Sequence, residues 1–203
     1  MQTLQQVIDA TSNSYVVEYM NSMGFSQVTA DNFNIQFAIG GADLTVSTLE
    51  MAGAQAALIN GGKYIKPHTI ERIEYKSEKS PYTPTYTPTQ VLTEQAAYLT
   101  TQLLYSNVNG GYANMMQILR EDYPVYAKTG TTDWGTSGRE YGIPDGSIKD
   151  AWNICSTSEY TVATWIGYER ASAEKQSYIL ESVYYQNIQG KISDLIKTRN
   201  VTK

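Results

Sequence analysis

Hydrophobic residues recur at helical spacing in the first sixty residues of the chain. Two short apolar stripes come first, formed by Leu4, Val7 and Ile8 and then by Val16, Tyr19, Met20 and Met23. The polar run 11–14 separates them, and such a break commonly caps a following helix. Further on, Ser47 and Glu50 have the S-x-x-E spacing of a capping box, and the helix that they start should end at Gly61-Gly62. The pattern therefore predicts three helices here.

The middle of the chain alternates between predicted strand, loop and helix. A strand is predicted over 69–75. Residues 76–90 are polar and repeat Tyr-Thr-Pro-Thr, and proline keeps such a segment out of helices and central strands, so we expect a surface loop. Thr93 should cap a helix that runs to about residue 107, and a shorter helix should follow near 112–119.

Strand-like runs dominate the next part of the chain. Residues 123–127 lead into Lys128-Thr129-Gly130, and the β-rich runs 150–156 and 160–168 are separated by a short hairpin turn. A final amphipathic helix is predicted from the apolar positions Leu180, Val183, Tyr184, Ile188, Ile192 and Leu195. Together the segments predict a chain that contains both helices and strands.

Composition limits the possible classes of function. A chain of 203 residues with 41% hydrophobic content suits a single globular domain. Because 15 Lys+Arg stand against 20 Asp+Glu with no basic block, nucleic acid is excluded as the main partner. The one histidine, His68, supports neither a histidine triad nor a multi-histidine metal site. Cys155, the one cysteine, is expected to be a buried, inert thiol.

Lys128-Thr129-Gly130 is the stretch with the clearest candidate chemistry. On an extended strand alternate side chains share a face, so Lys128 and Gly130 should lie on one face and Thr129 on the other. Glycine lets another backbone approach closely, and such a strand can pair with an extended peptide while an ammonium and a hydroxyl bind its carboxylate. This chemistry suits a peptide C-terminus. The alternative is an edge strand that simply turns into a loop.

Several separate segments agree with one protein family, in the right order. They are the run 44–67, the Lys-Thr-Gly strand and the hairpin that follows it. With these, the chain closely resembles the C-terminal part of the transpeptidase domain of penicillin-binding proteins, most of all the bifunctional, high-molecular-weight class. The likeness covers nearly the whole chain. It implies that residues 1–203 are the C-terminal part of one such domain.

A second motif of the family, S-x-N, has its counterpart in Thr11-Ser12-Asn13. Threonine replaces the first serine, so a hydroxyl remains for proton relay, but the added methyl group could misplace it. The resemblance implies catalytic roles for Thr11 and Asn13. The alternative, compatible with the first, is that Ser12 or Asn13 caps a helix.

The family's remaining motif, S-x-x-K, carries the nucleophile and should precede S-x-N. Ten residues precede Thr11, and none of them is lysine. The S-x-x-K that the chain does contain, Ser172 to Lys175, lies downstream of Lys-Thr-Gly and is attributed to chance. The resemblance therefore implies a partial domain that lacks its nucleophile and the first strands of the sheet. We expect an α+β fold, with helices flanking an antiparallel sheet of about three strands and the Lys-Thr-Gly strand at one side.

The resemblance also implies a mechanism for the intact protein. A serine from the missing segment attacks the D-alanyl-D-alanine carbonyl of a peptidoglycan stem peptide, and a second stem's amine takes the acyl group. Lys128 supplies positive potential and, with Thr131, belongs to the implied catalytic set. The hydroxyls of Thr129 and Thr131 hold the substrate carboxylate, the Thr131 backbone N–H stabilises the oxyanion, and Gly130 and Thr132 complete the substrate-binding stretch. β-Lactams would be trapped by the same groups.

No cofactor and no metal are implied. The opening residues lack the pattern of a signal peptide, and no stretch approaches the roughly 18 apolar residues of a membrane span. The resemblance places the protein at the extracellular face of the cytoplasmic membrane, with its anchor outside this chain. The glycines at 135, 138, 142 and 146 are expected to form a mobile rim beside the site, and Asp145 and Asp150 to be solvated loop acids.

Two other functions remain open at this point. A non-catalytic wall-binding or scaffolding module would keep the shape of the pocket without acylation, and the threonine at position 11 favours it. A serine β-lactamase shares the motifs but not the 44–67 segment.

The missing S-x-x-K serine leads to a direct prediction. This chain alone should form no covalent adduct with a fluorescent penicillin, because none of its serines has the required lysine and position. Gel fluorescence and peptide mapping check this. Stable labelling of any serine in the isolated chain would contradict the partial-domain interpretation.

Overall fold

The structure is a computed structural model that describes residues 2–41, 44–110 and 114–180. The predicted final helix lies outside these ranges except for Leu180, which is not in a helix. No helix in the described ranges is long and apolar enough to cross a membrane.

Four α-helices and five strands make up the described fold. The helices are α1 (Gln2–Ala10), α2 (Asn13–Ser22), α3 (Thr48–Ile59) and α4 (Glu94–Asn109). The strands are β1 (Lys63–Tyr64), β2 (Thr89–Gln90), β3 (Tyr126–Asp133), β4 (Ile148–Ser156) and β5 (Thr161–Gly167). Short 3₁₀ helices cover Ile35–Ile39, Asn114–Leu119 and Gly135–Tyr141.

The three predicted helix caps are present. The Ser12 hydroxyl accepts a hydrogen bond from the Tyr15 backbone N–H at the start of α2, and Thr93 caps α4. At α3, Ser47 and Glu50 form the complete reciprocal capping box. Because side chains satisfy the first free N–H groups of these helices, the sequence specifies where each one begins.

The larger sheet has three antiparallel strands in the order β3-β4-β5. Ala127 on β3 pairs with Cys155 on β4, and Cys155 pairs with Val162 on β5. This confirms the α+β fold, the three strands and the position of the Lys-Thr-Gly strand at one side. β1 and β2 form a separate two-stranded sheet.

The main core lies on the face of the sheet that carries Ala127 and Cys155. Its buried members come from α4, the 3₁₀ helix before β3, and the sheet: Val108, Met116, Leu119, Val125, Ala127 and Cys155. Burial raises the pKa of the Cys155 thiol to about 12, in agreement with a buried and unreactive cysteine. The core thus holds β3 from one face.

Three sequence predictions are wrong in detail. No regular strand forms over 69–75, where the one strand-type pairing joins Ile73 to Tyr82. Both Ile70 and Ile73 are exposed there, so the apolar residues have no surface to cover. The helix near 112–119 is a 3₁₀ helix at 114–119, with 111–113 outside the described residues. Ser172, expected at the start of the final helix, lies in irregular backbone instead.

Glu50 ties the start of α3 to an earlier loop. Its Oε1 accepts hydrogen bonds from the Ser26 backbone N–H and hydroxyl, and its Oε2 accepts two from Ser47. Burial alone would raise the pKa of Glu50, but these hydrogen bonds to the ionised form outweigh it and lower the pKa from 4.5 to about 2.

A depressed pKa makes this contact sensitive to acid. The ionised Glu50 contributes its full stabilisation above pH 4.5, and this is lost as the pH falls towards about 2. Urea unfolding of the wild type and Glu50→Gln should therefore show a stability difference that shrinks from pH 5 to pH 2. Glu94→Gln is the control, because no hydrogen bond to the Glu94 carboxylate occurs in the described part of the chain. A difference independent of pH would contradict this account.

Candidate active site

The predicted ligand residues lie along β3, the edge strand of the sheet. Lys128, Gly130 and Thr132 pair with Ile154, Trp152 and Asp150 of β4, and Thr129 and Thr131 pair with Asn153 and Ala151. Since side chains alternate along a strand, the first three residues share one face and the two threonines share the other. The predicted arrangement of Lys128, Thr129 and Gly130 is therefore present. Both sets border the open edge of β3.

Lys128 is exposed, and its charge is not neutralised by a neighbour. Its Nζ donates a hydrogen bond to the Thr129 backbone carbonyl. No carboxylate lies within ion-pair distance of Lys128 in the described ranges. An ammonium group held at a strand edge in this way attracts an anionic ligand.

Gly130 leaves the surface in front of Trp152 uncovered. A Cβ atom at this position would lie 3.4 Å from the Trp152 Cβ, at van der Waals contact distance. Beside it, Thr131 is exposed and Thr129 is half-buried. A peptide backbone can therefore come close to β3 at Gly130, with a threonine on either side along the strand.

Two buried or half-buried amides hold the first half of β3 in place. Gln55, on α3, donates hydrogen bonds from Nε2 to the Tyr126 carbonyl at 3.2 Å and to the Ser156 hydroxyl at 2.9 Å. Asn107, on α4, donates from Nδ2 to the Ala127 carbonyl at 2.9 Å. Neither residue could be identified from the sequence. The spacing of apolar residues along a helix does not show that an amide on that helix contacts a distant strand.

Asp150 holds the second half of β3, and the expectation that it is a solvated loop acid is wrong. It lies within β4 with its side chain 22% exposed. Its Oδ2 accepts a hydrogen bond from the Thr132 hydroxyl and its Oδ1 accepts one from the Trp165 indole N–H. The alternation of Asp150 with aromatic and aliphatic residues was the signal for a strand position. Asp145 is exposed, as expected, and forms an ion pair with Arg139.

The structure does not join Thr11 and Asn13 to β3. The Thr11 hydroxyl donates to the Val7 carbonyl at 2.6 Å, and Asn13 is the exposed first residue of α2. No hydrogen bond between either residue and β3 occurs within the described ranges. The helix-cap interpretation of this break is confirmed through Ser12.

A groove of the described structure lies away from the Lys-Thr-Gly stretch. It encloses about 480 Å³ between α3, the segment that follows β1, and the β4–β5 turn. Leu49, Ile65 and Tyr160 are among its lining residues, and none of residues 128–132 is. The candidate residues on β3 therefore lie on the edge strand of the described sheet and not in this groove.

Comparison with known proteins gives consistent results. A model of the penicillin-binding protein transpeptidase domain matches residues 2–188. Penicillin-binding protein 1A/1B of Bacillus subtilis (strain 168) is 31% identical over 180 residues, which cover 87% of this chain and 19% of that protein. The chain therefore spans about a fifth of the length of this relative.

Two solved structures show the same fold. Penicillin-binding protein 1A from Haemophilus influenzae superposes with a TM-score of 0.66 at 16% identity, over 98% of this chain and 32% of the other. A penicillin G acyl-enzyme complex of penicillin-binding protein A from M. tuberculosis gives 0.59 at 16% identity, over 91% and 43%. With the match over 2–188, these likenesses show that this chain belongs to the penicillin-binding protein transpeptidase domain family.

Proposed function

We propose that this chain is part of a D,D-transpeptidase that cross-links peptidoglycan stem peptides through a serine acyl-enzyme. The observation that carries the proposal is the edge strand β3, which presents an uncompensated ammonium at Lys128 beside the exposed Thr131. A positive charge and hydroxyls at a strand edge suit an extended peptide that ends in a carboxylate. Membership of the transpeptidase family supports the same reaction.

Residues 1–203 would form the C-terminal part of one transpeptidase domain. The superposition covers 98% of this chain but only 32% of the Haemophilus influenzae protein. The fold of this chain can therefore be one part of a larger structure. In this proposal the nucleophilic serine and its lysine come from sequence outside this chain. That sequence would also supply the first strands of the sheet.

In the proposed reaction, the serine oxygen attacks the carbonyl carbon of the D-alanyl-D-alanine bond. The Thr131 backbone N–H donates to the resulting oxyanion, while the Thr129 and Thr131 hydroxyls and the Lys128 charge bind the terminal carboxylate. The serine proton passes to the neighbouring lysine, and when the intermediate collapses the peptide bond breaks and the leaving amine of D-alanine takes that proton. An amine of a second stem peptide then attacks the acyl-enzyme and restores the serine.

Thr11 and Asn13 are proposed to serve proton transfer in this cycle. For this role, the Thr11 hydroxyl has to give up its hydrogen bond to the Val7 carbonyl and form one to the reacting groups instead. Gly130 and Thr132 are proposed to line the substrate strand. The whole site works at the extracellular face of the cytoplasmic membrane in this account.

β-Lactams are the proposed inhibitors. Their carboxylate and strained carbonyl would occupy the same positions along β3 as the end of the stem peptide. The fold shared with a penicillin G acyl-enzyme complex of a M. tuberculosis protein supports this proposal.

A non-catalytic wall-binding module is the second candidate. The bond between Thr11 and the Val7 carbonyl favours it, because a hydroxyl committed to its own helix is not available for proton relay. This candidate keeps the carboxylate-binding strand but forms no acyl-enzyme.

Lys128→Ala tests whether β3 binds the ligand, as both candidate functions require, or has only a structural role. In the longer protein that carries the nucleophile, this change should slow penicillin acylation by at least about ten-fold, or about 1.4 kcal/mol on the barrier, because positive potential at the carboxylate is lost. Stopped-flow acylation measures the rate, and thermal melting checks the fold.

Lys63→Ala is the matched control, since Lys63 is an exposed strand lysine on β1. An acylation rate that is unchanged in Lys128→Ala would show that β3 has only a structural role. Tight binding of a stem peptide by a wild-type protein that is never acylated would favour the wall-binding module.

A further inference from the structure

Asp150 connects all three strands of the larger sheet through its carboxylate. From β4, it accepts the Thr132 hydroxyl of β3 at 3.1 Å on Oδ2 and the Trp165 indole N–H of β5 at 2.8 Å on Oδ1. The Lys149 ammonium lies 3.8 Å from Oδ2. Hydrogen bonds to an ionised acceptor are stronger than those between neutral groups. Each carboxylate oxygen therefore has a defined partner on a different strand.

The contact with Thr132 lies at the point where regular pairing of β3 ends. Thr132 pairs directly with Asp150, and the register shifts between Thr132 and Asp133. Strand ends fray more readily than strand centres, because they have fewer paired groups. A side-chain bond at the last regular pair therefore restrains the residues just before it, and Thr131 is the nearest of these.

The hydrogen bond from Trp165 to Asp150 depends on the glycine at position 167. A Cβ atom at Gly167 would lie 2.9 Å from the Trp165 Cζ2, 3.1 Å from the Asp150 Cα and 2.4 Å from the Lys149 carbonyl oxygen. The indole ring thus occupies the space that a side chain at Gly167 would need. This arrangement lets Trp165 reach the carboxylate diagonally across the strand pair.

We propose that Asp150 is a positioning residue for the ligand-binding end of β3. It fixes Thr132, and through Thr132 it fixes the direction of the Thr131 N–H and hydroxyl at the strand edge. The inference rests on the proposed function, since Thr131 is the residue assigned there to the oxyanion and the carboxylate. Asp150 does not touch the substrate itself.

Acylation kinetics of the longer protein test this proposal with paired variants. Asp150→Ala and Thr132→Val each remove one side of the bond and should lower the acylation rate constant by about ten-fold, while the dissociation constant of the initial penicillin complex changes less. The acylation rate constant of the double variant should be no lower than that of either single variant, because both changes remove the same contact.

A conservative variant distinguishes positioning from a general loss of packing. Asp150→Asn should retain acylation within about three-fold, since its Oδ1 accepts from Trp165 and its Nδ2 donates to the Thr132 oxygen. Asp145→Ala, which removes an exposed acid outside the strands, is the control and should acylate like the wild type.

Crystal structures of the same proteins give a readout that does not depend on acylation. In Asp150→Ala, Thr131 and Thr132 should shift away from β4 while Ala127 and Lys128 keep their positions. If the wild-type protein is never acylated but Asp150→Ala shows this shift, the positioning role is retained and the proposed function is rejected. Wild-type acylation in Asp150→Ala and Thr132→Val, or an unshifted strand, would overturn the inference. If Asp150→Ala fails to fold, the crystal structure of Thr132→Val decides, because the position of Thr131 in it does not depend on substrate contacts of Thr132.

Discussion

A strand that binds a ligand along its edge must leave that edge open and still keep one position. β3 meets this constraint because all of its support comes from the other sides. β4 pairs with it along its length, and two helices reach it through the amides of Gln55 and Asn107. The Gln55 amide also bonds to Ser156, so one side chain joins α3 to two strands. The exposed Lys128 and the other residues proposed to bind the ligand depend on this support.

Support for β3 differs between its two halves. The first half is held by amides on helices that donate to its backbone carbonyls, and the second half by the Asp150 carboxylate that accepts the Thr132 hydroxyl. The proposed ligand contacts lie between these two sets. Binding residues can therefore remain exposed without loss of their position, which lowers the ordering cost when a ligand binds.

The elements that local patterns specify were predictable from the sequence. The capping box at Ser47 and the cap at Thr93 fixed the starts of α3 and α4, and alternating β-rich runs gave the three strands of the larger sheet. The Lys-Thr-Gly stretch indicated the edge strand that is proposed to bind the ligand. The strand predicted over 69–75 does not form. Its apolar residues match a strand pattern, but they are exposed and do not pack against another element. Asp150 and Gln55 could not be assigned, since their roles depend on partners 15 to 101 residues away.

Native-state hydrogen exchange in Gln55→Leu tests most directly whether the buried contact between α3 and the sheet holds β3 in position. The change leaves the Tyr126 carbonyl without its side-chain donor, so the opening free energy of the paired β3 and β4 amides should fall by about 1–3 kcal/mol. Gln102→Leu, on the exposed side of α4, is the matched control and should change this opening free energy by less than about 0.5 kcal/mol. Equal protection of β3 in both variants would contradict the account.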